Sequence, residues 1–190
     1  EYERQRGVSA YDLLNLEAEK TPKGADGLIT LPYWLGERSP IWDPKARGMF
    51  FGLNMYHTRG HMFRSIIEGI GFALEHHAEI LREKGAMPER IIVCDGGAAS
   101  NLERQAFADI TNVPVDYMSQ IAGGPAANAF LAGMGVGIYK DFTEIKEWCH
   151  VDVTNLPDPS SRETYQKLYE IYKKLYLNTK EEMHIVADMM

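Results

Sequence analysis

Between His57 and Gly85 the apolar residues Phe63, Ile66, Ile67, Ile70, Leu74, Ala78 and Leu81 recur at steps of three and four. That spacing predicts one long amphipathic helix with a single apolar face. Thr58 suits its N-cap and Gly85 its C-terminal stop. Gly69 and Gly71 fall in its interior, where each costs about 1 kcal/mol relative to alanine. Close approach of a neighbouring element is the expected compensation. Upstream, residues 8–20 predict a shorter helix that ends before a turn at Thr21–Gly24. Gly27–Trp34 and Met49–Leu53 carry β-branched and aromatic residues and predict short strands. Between them Leu35–Gly48, rich in proline, glycine and charge, predicts a long loop, a length often tied to function.

Downstream the period changes. Arg90–Cys94 predicts an apolar strand. Ser100 and Glu103 fit a capping box that opens a helix whose inner face is Leu102, Ala106, Phe107 and Ile110. Val113–Met118 predicts another strand, and Gly123-Gly124-Pro125 leads into a small-residue helix over 126–137, with Pro125 at its first position. Strand–helix–strand–helix with short connections predicts an α/β domain with parallel pairing and right-handed crossovers. Pro157 and Pro159 then punctuate the chain. Ser160 and Ser161 open a last helix with Tyr165, Leu168, Tyr169, Tyr172, Leu175 and Tyr176 on one side, a stripe read as packing surface.

Composition narrows the function classes. The 190 residues, 45% hydrophobic, suffice for one domain with a sizeable core. A net charge of −7 and the lack of any Lys/Arg-rich run argue against nucleic-acid binding. No apolar run approaches the roughly 18 residues of a membrane span, and no stretch of these residues reads as a signal peptide. Cys94 and Cys149 have no metal or redox spacing and read as buried thiols in a reducing cytoplasm. The chain opens on Glu1 with a stretch that reads like the middle of a protein, so a fragment is expected.

The chemistry-bearing stretch is Asp95-Gly96-Gly97-Ala98-Ala99-Ser100-Asn101. In a parallel sheet, ligands bind beyond the carboxyl ends of the strands, and this stretch follows such an end. Gly96 and Gly97 would let a flat ligand approach the main chain. Asn101 can donate and accept, which suits a nucleobase edge. The second pair, Gly123-Gly124, could line the same crevice. A plain tight turn explains Gly-Gly equally well, and neither GxGxxG nor GxxxxGK[ST] is present. His57 and His61 have metal-like spacing but no evident third ligand, so hydrogen-bonded histidines at a helix start are expected. His76 and His77 point apart, onto an exposed face. There is no GxSxG or Cys–His pattern to support a nucleophilic hydrolase. The Glu37, Arg38, Asp43 and Arg47 loop reads either as a solvated loop held by local ion pairs or as the lining of a phosphate or partner surface.

Together, residues 31–53, 57–74, 95–115 and 132–137 resemble, in order and spacing, the C-terminal domain of FGGY carbohydrate kinases. The family's second signature is matched by Gly48, Phe50, Gly52 and Leu53, then His61, Met62, Ser65, Ile66, Ile67 and Glu68. The resemblance covers about Gly27–Phe142, and more loosely the tyrosine-rich helix. The wording of the 36–48 loop is more similar to the xylulokinase and gluconokinase branches than to glycerol kinase.

The resemblance implies an actin-like, ribonuclease-H-like domain that lacks its first strands. Residues 1–26 would lead into it and 156–190 would form a helical appendage. It implies that Gly96, Gly97, Ala98 and Asn101 contact adenosine, with ATP and Mg²⁺ as cofactors. The parent would be a cytoplasmic enzyme that phosphorylates a pentulose such as xylulose, or a related sugar or sugar acid. The family's catalytic Asp lies in a Gly-Asp-Gln-like motif, which has no counterpart here, so none of these residues is assigned as the general base. Pro125 and Asn128 depart from the family's Ala/Gly-rich last helix. The implied partner is an N-terminal domain of the same protein, and an unpaired sheet edge would invite a homodimer. Competing readings are a nucleotide-gated interaction module like those of actin or Hsp70-type chaperones, a dinucleotide-dependent oxidoreductase, and a ligand-free structural domain.

Overall fold

The computed structural model describes residues 7–86, 88–119 and 123–189. Helix α1 (Ala10–Glu19) is capped by Ser9, whose side chain accepts from the Asp12 amide. Strands β1 (Ile29–Leu31) and β2 (Met49–Phe51) pair antiparallel, Ile29 opposite Phe51. Helix α2 (Arg59–Glu83) follows. Strand β3 (Ile91–Val93) leads through the one-turn helix α3 (Asp95–Ala98) into α4 (Asn101–Thr111) and β4 (Val115–Tyr117). Helix α5 (Gly123–Gly135), strand β5 (Val153–Asn155) and helix α6 (Arg162–Ala187) complete the order.

The second sheet runs β3-β4-β5. β3 and β4 are parallel, as expected, with Ile91 opposite Val115. β5 is an addition that its sequence did not announce; it pairs antiparallel to β4 with Asn155 opposite Val115. Helix α5 starts at Gly123 rather than after Pro125, so the second Gly-Gly lies in its first turn.

The termini of α2 lie close to the predicted ones. At its end Gly85, with φ +75°, donates to the Arg82 carbonyl while Ala86 donates to that of Leu81, two bonds that close a left-handed stop. Its buried face overlaps the expected one only in part. Ile67 and Ala78 are buried and Phe63 and Leu74 pack against core clusters, but Ile70 and Leu81 are 41% and 46% exposed, and Gly60, Arg64, Glu68, Gly69, Gly71, Phe72 and Glu75 are buried as well. The inward face is thus rotated from the predicted stripe and takes in charged residues. The glycines explain the choice. A Cβ on Gly69 would lie 2.5 Å from the Thr30 carbonyl oxygen of β1, and one on Gly71 would lie 2.6 Å from Ile110 Cδ1 of α4. The buried charges have partners: Arg64 Nε donates to Glu68 at 2.8 Å, and Arg82 to Glu75 at 2.6 Å.

The largest core cluster joins β1 and Phe72 of α2 to α6 through Tyr165, Tyr169, Tyr172, Leu175, Tyr176 and Met183. The aromatic stripe is therefore packing surface. Each tyrosine hydroxyl also has a bonding partner: Tyr165 donates to Glu68, Tyr169 to Glu79 and Tyr176 to Asp43, while Tyr172 accepts from Tyr33. Two departures are small. Cys94 and Cys149 are half-buried rather than buried, and form no disulfide. His76 and His77 are half-buried rather than exposed. Among the described residues no helix is long and apolar enough to cross a membrane.

Candidate nucleotide site

The signature positions act on backbone approach and polar closure. A Cβ on Gly48 would enter the Trp34 ring, and Gly52 takes φ +88°. His61 Nδ1 accepts from the Thr58 amide at 3.2 Å, and its Nε2 lies 3.0 Å from Asp26. His57 Nδ1 accepts from the Asn54 amide at 3.1 Å, so both histidines bond to backbone at the helix start. Among the described residues no cluster of three His, Cys, Asp or Glu could hold a metal. Ser65 Oγ lies 2.8 Å from Thr30 Oγ1. Glu68 is 2% exposed and accepts from Arg64, the Gly24 amide and Tyr165. Burial pushes the Glu68 carboxyl up, against the pull of Arg64 and those donors.

The glycine stretch lies beyond the carboxyl end of β3, and α5 opens beyond that of the adjacent parallel strand β4. The turn is itself helical: α3 spans Asp95–Ala98, and Ala99 and Ser100 donate to the Gly96 and Gly97 carbonyls at 3.3 and 3.0 Å. The four predicted residues do not share one environment. Gly96 is exposed, and a Cβ there would meet nothing within 4 Å. Gly97 is exposed, but a Cβ on it would lie 2.8 Å from a Glu103 carboxylate oxygen. Ala98 is buried. Asn101 is exposed, and its Oδ1 accepts from Asn155 Nδ2 at 3.0 Å. Its own Nδ2 has no partner among the described residues.

The capping box is half made. Ser100 Oγ accepts from the Glu103 amide at 3.4 Å and donates to Asn15 Oδ1 of α1 at 2.8 Å. The Glu103 carboxyl packs over Gly97 instead of returning to the cap. Burial raises its pKa, with Arg104 pulling the other way.

Two residues here were not anticipated. Arg104 is 6% exposed and its Nη1 donates to the Ala98 and Ala99 carbonyls at 2.5 and 2.8 Å. Its Nε donates to Asn155 Oδ1 at 3.1 Å, and its guanidinium lies 4.7 Å from the Tyr117 ring centre. Asn155 also donates to Gln105 Oε1 at 3.0 Å. Arg104 falls off the apolar face of its predicted helix, so the spacing held no sign of it. Asn155 had none either, because β5 was not foreseen.

Asn101 also borders a crevice of about 490 Å³ between α4 and the Glu19–Lys23 segment; Gly96, Gly97 and Ala98 do not line it. Lys23 Nζ, at its edge, sits 2.7 Å from Asp109 and 2.6 Å from Asp158. Burial works against the Lys23 charge, but those two carboxylates outweigh it and hold its pKa above the usual range.

The charged loop over 36–48 is held by a tertiary contact. Asp43, 4% exposed, accepts from Tyr176 at 2.9 Å and lies 2.8 Å from His184 Nε2, both on α6. Burial pushes the Asp43 carboxyl up, and the His184 and Tyr176 hydrogen bonds more than offset this, leaving it below its ordinary value.

A parallel β3–β4 pair with a glycine turn at its carboxyl end is an arrangement in which α/β domains bind ligands. Residues 1–136 match the profile of the FGGY family of carbohydrate kinases, C-terminal domain, and the chain belongs to that family. It is 33% identical to the xylulose kinase of Staphylococcus epidermidis over 180 residues, 94% of this chain and 36% of that protein. It is 32% identical to the gluconokinase of Bacillus licheniformis over 97% of this chain and 36% of that protein. The solved xylulose kinase of Rhodospirillum rubrum superposes with a TM-score of 0.80 at 32% identity, covering 95% of this chain and 36% of that one. The fold is therefore the actin-like ATPase fold of FGGY kinases. The chain spans about a third of the length of the curated relatives it matches.

Proposed function

We propose that these residues form most of the nucleotide-binding domain of an ATP-dependent carbohydrate kinase and supply its adenosine-binding part. Residues 1–26 lead into the domain and 156–190 close it. The substrate class is a pentulose such as xylulose, or a related sugar or sugar acid, as the names of the relatives suggest. The sugar contacts, the general base and the protein ligands of Mg²⁺ belong to the rest of a longer cytoplasmic parent. ATP, with Mg²⁺ neutralising its phosphates, supplies the phosphoryl group. The role of the residues here is to hold adenosine so that the γ-phosphate meets the sugar hydroxyl, a gain of proximity rather than of bond chemistry.

The observation that carries this reading is the α3 turn. Gly96 offers open space above its backbone, and Asn101, which opens the next helix, carries an amide donor with no partner among the described residues. Both features suit the face and edge of a purine. The outer edge of β3, with Ile92 61% exposed, has no strand partner among the described residues. That edge supports the expectation of a partner: further strands of the parent, or a second copy of this chain.

The test is Gly96→Val. A Cβ there meets no atom within 4 Å outside its own turn, so the unfolding midpoint should hold, while ATP affinity of the 190-residue chain falls at least about tenfold through steric exclusion. Unchanged ATP affinity would remove the turn from the site. Gly97→Val is less clean, because its side chain would first displace Glu103. The same chain mixed with ATP and xylulose should show no sugar phosphate; turnover would place the base among these residues.

A further inference from the structure

We infer that Arg104 and Asn155 are positioning residues for the nucleotide: they lock the α3 turn and Asn101 into one rigid unit. This rests on the adenosine reading above. Three of the four proposed contacts lie on a helix of a single turn, which is too short to hold its own shape in water. Something must satisfy its last carbonyls. Arg104 does so from the next helix, binding those of Ala98 and Ala99 with one nitrogen. Charge-assisted bonds of this kind are about twice as strong as neutral ones. The guanidinium cannot swing away, because Asn155 takes its Nε and the Tyr117 ring covers one face.

Asn155 completes the coupling. Its Oδ1 faces Arg104, and its Nδ2 faces Asn101 Oδ1 and Gln105 Oε1. It is 7% exposed, and all three bonds use one side-chain amide. The orientation of Asn101 is thereby tied to that of the α3 carbonyls, and its donor end is kept for a ligand. Asn155 lies outside residues 1–136, the span that matches the family profile. A nucleotide site built inside that span is thus braced by a strand beyond it.

Backbone hydrogen exchange and ATP titration of the full 190-residue chain test this separately. Arg104→Lys keeps the charge but cannot reach both carbonyls and Asn155 at once. The Ala99 and Ser100 amides should exchange at least about tenfold faster, and ATP should bind about tenfold more weakly, the loss of one charge-assisted bond. Amides in the middle of α2 should not change. Asn155→Asp keeps an acceptor for Arg104 but removes the donor to Asn101; it should preserve α3 protection and still weaken ATP binding. If Arg104→Lys changes neither readout, or lowers protection across α2 and α6 equally, the positioning role is wrong. If wild-type chain binds no ATP, the adenosine reading falls; the exchange data then still decide whether Arg104 holds the turn.

Discussion

Gly69 and Gly71 sit two residues apart on α2, yet alanine should be destabilising at the first and neutral at the second. The new methyl at position 69 would stand 2.5 Å from the Thr30 carbonyl oxygen, a backbone atom inside β1. Ordinary contact needs nearly 1 Å more, so the strand must retreat from the helix. Overpacking of this kind costs about 1–3 kcal/mol, and alanine's better helix propensity returns about 1 kcal/mol. Thr30 is also bonded to Ser65 on the same helix, so a retreat strains a second contact. The two figures leave about 0–2 kcal/mol, and the strained Thr30–Ser65 contact puts the expected net loss in the upper half, about 1–2 kcal/mol, or roughly 2–8 °C in Tm for a chain of this size. At position 71 the obstacle is Ile110 Cδ1, the tip of a flexible side chain, at 2.6 Å. A rotamer change there costs about 1 kcal/mol, which the propensity gain cancels. Gly71→Ala should therefore be neutral within about 0.5 kcal/mol. Urea unfolding followed by far-ultraviolet circular dichroism and by tyrosine fluorescence measures both variants and checks for a single transition. A Gly69→Ala protein as stable as wild type, or one more stable than Gly71→Ala, would refute the argument that backbone contact selects the buried face of α2.

Other outcomes follow from the polar contacts. Lys23 and Ser160 pull the Asp158 carboxyl from 3.8 down to about 2. A carboxyl depressed on folding contributes stability above its unfolded value and loses it as pH falls through the folded one. Wild type should weaken between about pH 4 and 2, and Asp158→Asn should flatten that part of the curve; an unchanged profile would contradict the linkage. Asp43→Asn leaves His184 and Tyr176 facing a weaker acceptor and should destabilise by about 1–3 kcal/mol. It should also open the 36–48 loop to limited proteolysis, and a loop as protected as in wild type would show that Asp43 does not hold it. Light scattering of the chain should show self-association through the β3 edge, suppressed by Ile92→Lys; a monomer at high concentration would count against that edge as a contact.

Much of the fold was legible because it follows from local physics. The long helix, its stop at Gly85, the glycine strand-to-helix turn and the tyrosine stripe all announce themselves through period, φ preference or burial of aromatic area. The inner face of α2 did so only in part. Ile70 and Leu81 look like core, but glycine contacts and the Arg64–Glu68 pair decide which face turns inward, and those depend on distant partners. β5 escaped notice because Val153-Thr154-Asn155 has a polar majority and becomes a strand only by pairing with β4. At the candidate site, the glycines and Asn101 could be named from spacing and family resemblance. Their bracing could not, since it runs from Arg104 to a residue on that unforeseen strand. The open space at Gly96 and the crowding at Gly97 look identical in the sequence; only the position of Glu103 separates them.

The tyrosines of α6 have a consequence beyond area. A greasy helix face tolerates sliding, because one hydrophobic contact replaces another at little cost. Here the hydroxyls at positions 165, 169, 172 and 176 meet four different partners, Glu68, Glu79, Tyr33 and Asp43, drawn from three separate parts of the chain. A shift by one turn would mismatch every one of them simultaneously. The helix is thus keyed like a tumbler lock, with a single axial setting, and phenylalanine at all four sites would keep the grease while discarding the key.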